Sequence, residues 1–136
     1  MLTISCIFDE DFEPGGMDPL GKLVISDGES RIVVEPTYLD SWLASFIGAL
    51  SRPRTTDHVS VEISEEPKPI QIDVTEDGHL AISYKDQKTF AKGPKEIEVA
   101  LRAAVHSFLD VLKNSPEASQ NRFIDPIRRF SATTQN

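Results

Sequence analysis

The sequence predicts an α+β fold, a two-layer sandwich of one mostly antiparallel sheet of five to seven strands with two amphipathic helices on one face. Two observations carry this. Two segments, near residues 39–50 and 94–114, repeat apolar residues at three- and four-residue steps, the period of a helix with one buried stripe. Elsewhere, short segments alternate apolar and polar residues, the period of a strand with one buried face. The order is strands, helix, strands, helix, so two stripes and one apolar sheet face can close a single core.

Leu2, Ile4, Cys6 and Phe8 alternate with Thr3 and Ser5 as a first strand. DEDFEPGGMDP, rich in Asp, Glu, Gly and Pro, reads as a loop. Leu20 to Ser26 and Arg31 to Glu35 are two further strands, joined by a hairpin at Asp27-Gly28-Glu29-Ser30. Thr37 and Asp40 have the spacing of an approximate capping box. Leu39, Trp42, Leu43, Phe46, Ile47 and Leu50 then form the first helical stripe, and Pro53 ends it. The other side of that helix carries Ser41, Ala44, Ser45 and Gly48, where a solvated face normally carries Glu and Lys. Small residues there suit the close approach of a second element, and a homodimer through this face is one expectation.

Val59, Val61 and Ile63, then Ile70, Ile72 and Val74, then Leu80, Ile82 and Tyr84 alternate with polar partners, and Thr89-Phe90 reads as a last short strand before the second helix. The second helix opens at Pro94 and buries Ile97, Leu101, Ala104, Val105, Phe108, Leu109 and Leu112. One domain over 1–114 follows, with a C-terminal tail over 115–136. Within that tail, Asp125-Pro126 marks a short helix near 125–130 whose Ile127 and Phe130 share a face, together with Phe123, to dock on the core. The polar end of the tail is expected to be disordered.

Composition bounds function. The 136 residues carry 22 Asp and Glu against 14 Lys and Arg, a formal net charge of −8. Phosphate backbones meet like charge on such a chain, so nucleic acid is not an expected partner. No run approaches the ~20 apolar residues of a membrane span. The single cysteine, Cys6, cannot form an intrachain disulfide, which suits a reducing cytoplasm. It sits at a buried strand position, as a core thiol rather than a nucleophile.

Catalytic motifs are missing: there is no GxSxG, P-loop or GxGxxG. Asp9, Asp11 and Glu13 begin like a calcium loop, but Pro14 stands at the loop glycine and Leu20 at the bidentate Glu. No metal or cofactor is expected. Glu98 lies on the apolar side of the second helix, and with His106 it is the best candidate for lining a pocket between helices and sheet. The acids Glu62, Asp73, Glu65, Glu66, Glu76 and Asp77 are expected on one strand-supported face, suited to a basic protein partner. Small acidic domains without catalytic motifs include many immunity proteins of bacterial toxin systems. An immunity-type, non-enzymatic binding protein is therefore the first expectation. A small-molecule-binding or enzymatic domain is the second, and a self-associating structural subunit the third.

Overall fold

The computed structural model describes residues 1–9, 19–51, 57–64, 66–112 and 124–132. Its strands are β1 (Thr3–Phe8), β2 (Leu20–Ser26), β3 (Arg31–Tyr38), β4 (His58–Val61), β5 (Ile70–Val74), β6 (Leu80–Tyr84) and β7 (Gln87–Ala91). Its helices are α1 (Leu39–Ser51), α2 (Pro94–Leu112) and α3 (Ile124–Ala132). The fold is α+β with two antiparallel sheets, β1-β2-β3 and β4-β5-β6-β7, and three helices among the described residues. The single sheet expected is corrected to two sheets, and the two helices of the sandwich are joined by a third, α3, in the tail segment where a short helix was expected.

The physical reason for two sheets lies at the junction of β3 and β7, which side chains bridge instead of a backbone ladder. The Gln87 carboxamide donates from Nε2 to the Val33 carbonyl at 3.0 Å and accepts from the Val33 N–H at 2.8 Å. Further along, the Thr89 hydroxyl accepts from the Asp27 N–H at 3.1 Å and donates to the Ser30 carbonyl at 3.0 Å. Rising residue numbers on β7 meet falling numbers on β3, so the seam runs antiparallel. The Gln87 carboxamide satisfies part-buried edge groups of Val33, and the Thr89 hydroxyl adds to the Asp27–Ser30 pair of the hairpin.

The strand periodicity carries through to packing. Ile4, Ile25 and Ile32 stand in register across the first sheet, and Val59, Ile72 and Ile82 across the second. One core takes side chains from both sheets and all three helices. Trp42 and Phe108, the large residues of the two long stripes, are 0% and 1% exposed. Phe108 stacks on Phe8 with ring centroids 5.6 Å apart, which ties α2 to β1.

Three local features shape the frame. Gly21 sits at a bulge in β2, where an added Cβ would lie 2.2 Å from the Ile7 carbonyl oxygen, so only glycine lets β1 approach. In the β2–β3 hairpin, Gly28 takes a φ of 100°, and Asp27 Oδ1 accepts from the N–H groups of Glu29 and Ser30. The bond from the Ser30 N–H is the first cause holding the Asp27 carboxyl below its ordinary range. Thr37 belongs to β3, after a cis Glu35–Pro36 bond, and its hydroxyl serves the interior, so the capping-box reading is corrected. At the start of α1 it is Asp40 whose Oδ1 accepts from the Ser41 N–H.

In α3, Ile124 and Ile127 are 2% and 0% exposed, and Phe130 packs against the same core. Phe123 and the expected disordered end lie outside the described residues. Among the described residues, no helix is long and apolar enough to cross a membrane.

Candidate acidic docking site

Strand parity brings part of the acidic set together. His58 on β4 stands opposite Asp73 on β5, and its Nδ1 lies 2.5 Å from Asp73 Oδ1. Beyond Asp73, β5 runs into the turn that carries Glu76 and Asp77, and Asp57 precedes β4 at the same end. The Asp57 carbonyl accepts from the Val74 N–H at 2.9 Å, which fixes that end of the pairing. Asp57, Glu76 and Asp77 are exposed, and the Asp73 side chain is about half exposed, at 49%.

Asp77 is held in place rather than free. Thr75 Oγ1 donates to its Oδ1, the His79 N–H reaches the same oxygen, and His79 Nδ1 lies 3.3 Å from Oδ2. The Thr75 hydroxyl is the first cause lowering the Asp77 pKa, so its charge persists below the usual carboxylate range. Asp73, Glu76 and Asp77 therefore share one end of the four-stranded sheet, with Asp57 added by the structure. Glu62 is exposed but follows the far end of β4, four residues past His58. At about 3.3 Å per residue that separates it by roughly 13 Å. Glu65 lies outside the described residues.

Glu66 turns inward. Tyr84 donates its O–H to Oε1 at 2.8 Å, and Thr37 donates to Oε2 at 2.5 Å. Thr37 in turn accepts from Trp42 Nε1 at 2.8 Å. Both carboxylate oxygens thus serve a chain of buried donors. Burial, and then the bond to Glu66, push the Tyr84 hydroxyl well above its ordinary pKa. Tyr84 holds the clue in the sequence: alternation with Leu80 and Ile82 turns its ring inward, and a buried phenol needs a partner.

Glu98 and His106, expected to line a pocket, stand about two turns apart on α2. Glu98 Oε2 lies 3.3 Å from Arg102 Nε, and its side chain is 30% exposed. Arg102 spans onto α3, donating to the Phe130 carbonyl at 2.8 Å with its guanidinium 4.3 Å from that ring. His106 is exposed. The small side of α1 is graded: Ser41 is buried, Ala44 and Ser45 are half-buried, and Gly48 is open, with nothing within 4 Å of an added Cβ.

Described residues line several clefts, of which three bear on the candidate residues. One of about 100 Å³ is walled by Phe46, Leu50, Ile72 and Ile97 among others. A second, of about 360 Å³, lies between β1 and the Val99–Ser107 side of α2. The third, of about 260 Å³, is walled by Leu109, Leu112, Ile124 and Arg128. Glu98 and His106 line none of the three. Cys6 lines the second, and burial pushes its thiol up to about 12, so it stays protonated near neutral pH. Among the described residues there is no group of three or more His, Cys, Asp and Glu able to hold a metal.

No protein-family model matches the chain, and neither a curated protein nor a solved structure matches it.

Proposed function

We propose that the protein is a non-enzymatic binding protein, of the immunity-inhibitor kind, that docks a basic protein on the acidic end of its four-stranded sheet. The observation supporting this is the convergence of Asp57, Asp73, Glu76 and Asp77 at one end of β4 and β5. Two of the four are oriented by neighbouring side chains, His58 for Asp73 and Thr75 with His79 for Asp77. Carboxylates held in place before binding lose less freedom when an arginine or lysine arrives. Exposed charges of this kind act chiefly on association rate and its salt dependence.

The test is affinity capture from the native host with the wild type and with the Asp73→Lys, Asp77→Lys double variant. A basic protein retained by the wild type is then followed kinetically across a salt series. The expected result is slower association by the double variant, with a flattened dependence on ionic strength and an unchanged fold. Equal association rates for both proteins across the series would overturn the proposal.

A further inference from the structure

We infer that the acidic docking end is proton-gated, with His58 and His79 as its switch: each imidazole faces one carboxylate of that end, and charging both rings cancels half of its negative charge and releases the basic partner. This gate, which rests on the docking reading above, regulates that same site.

The chain has 3 histidines, and two of them stand at the acidic end. His58 Nδ1 lies 2.5 Å from Asp73 Oδ1, across the β4–β5 pairing that sets the two residues opposite each other. His79 Nδ1 lies 3.3 Å from Asp77 Oδ2, on the far side of Gly78, whose φ of 85° turns the chain between β5 and β6. The two histidine side chains are 55% and 48% exposed, so protons reach both rings from solvent. The remaining histidine, His106, is exposed on α2.

Histidine is the side chain whose charge ordinarily changes between about pH 5 and 8. A neutral imidazole donates one N–H to its carboxylate and leaves the negative charge of the pair intact. An imidazolium neutralises it. Asp57, Asp73, Glu76 and Asp77 present four carboxylates, and two charged rings leave half of that field. Carboxylates ordinarily titrate near pH 4, below this window. Asp77 is held lower still, first by the Thr75 hydroxyl.

The groups around the rings preserve the effect. Asp73 faces His58 from β5, and Asp57 adjoins it along the chain. That cross-strand row continues through Ala81 on β6 and Phe90 on β7, neither of them charged. His79 has Glu76 and Asp77 in its own turn, and Lys92 stands across from it, one residue past the Leu80–Ala91 pair. Arg52 and Arg54 precede Asp57 in the chain and lie outside the described residues. Lysine and arginine keep their charge throughout this window. They set a constant background, and the imidazoles set the pH dependence.

A charged surface of one sign raises the local concentration of its counter-charged ligand by about 10- to 10³-fold. The logarithm of that gain scales with the charge, so halving the charge should weaken binding by the square root, about 3- to 30-fold at low salt.

The experiment follows amide resonances of the full chain by NMR during titration with an octalysine peptide at low salt, at pH 7.5 and at pH 5.5. At pH 7.5 the amides of His58 and of Asp73 through His79 should shift. At pH 5.5 binding should be about 3- to 30-fold weaker. The His58→Gln, His79→Gln double variant should bind with one affinity at both pH values, and its amide spectrum reports that it is folded. His106→Gln should keep the wild-type difference. In Asp73→Asn the ring of His58 should protonate at lower pH than in the wild type, because the facing carboxylate favours the charged ring. Equal wild-type affinity at both pH values overturns the gate and leaves the docking reading standing. So does a pH difference that survives the double variant, or a His58 midpoint unmoved by Asp73→Asn. Shifts confined to other amides at pH 7.5 overturn the docking reading, and the gate falls with it, so the location of the shifts tells the two failures apart.

Discussion

The carboxamide of Gln87 engages both backbone groups of Val33, its N–H at 2.8 Å and its C=O at 3.0 Å, and so imitates one rung of a strand ladder. Gln87→Ala leaves those two part-buried groups without partners. A loss of about 1–3 kcal/mol is expected, since an unmet buried donor or acceptor costs its desolvation. Urea unfolding of the variant measures it. A loss indistinguishable from zero would mean that water replaces the carboxamide and the seam stands without it.

Glu66 is the common acceptor of Tyr84 and Thr37. Glu66→Ala strands two hydroxyl donors, one of them on a tyrosine that is 1% exposed. A cost of about 1–3 kcal/mol follows. Tyr84→Phe should cost less, because the half-buried carboxylate can turn to water. The double variant should be less destabilised than the sum of the two, and a double-mutant cycle by denaturant melts reads that coupling. Strict additivity would mean that the two side chains do not act as a pair.

Gly21→Ala brings a methyl group against the Ile7 carbonyl oxygen. The obstacle is the backbone of a paired strand, which cannot swing aside as a flexible side chain can. Overpacking of this kind costs about 1–3 kcal/mol. Gly48→Ala, with nothing within 4 Å, is the matched control. It should instead stabilise by up to about 1 kcal/mol through helix propensity. Thermal melts of the two variants should move in opposite directions.

Asp27 gives a pH dependence whose sign can be worked out. Its folded pKa lies below the ordinary aspartate value, so folding favours the ionised form. Its stabilisation is complete above the unfolded pKa and is lost as pH falls through the folded one. The stability difference between wild type and Asp27→Ala should therefore be flat near neutral pH and shrink below about 4. Chemical denaturation at a series of pH values checks this. A difference that grows on acidification would contradict it.

The two long helices were legible because their evidence is local. Trp42 with Phe46 and Leu101 with Phe108 recur at helical steps, and those steps decide which side is buried. The position of Asp73 on its strand was legible for the same reason, from alternation with Ile72 and Val74. The seam was not. Gln87 lies 54 residues from Val33, and a side chain that stands in for a backbone rung leaves no period behind it. The inward turn of Glu66 depends on partners 29 and 18 residues away, so in the sequence it looks like any other acid in a polar stretch. Glu62 and Asp73 both alternate with apolar neighbours in the sequence, yet register, which spacing along the chain does not reveal, sets Asp73 opposite His58 at the start of β4 and leaves Glu62 just past its end.

Trp42 is the only tryptophan in the chain. Its indole is wholly buried, donates to Thr37, and meets the Tyr84 ring edge-on at 5.2 Å. The fold therefore contains its own optical probe. Emission from the native chain should come from a dry, hydrogen-bonded indole lit partly by energy passed from Tyr84, and it should shift to the red when the indole meets water. Because Thr37 and Tyr84 belong to different sheets, that one signal reports when the two sheets part, with no label attached.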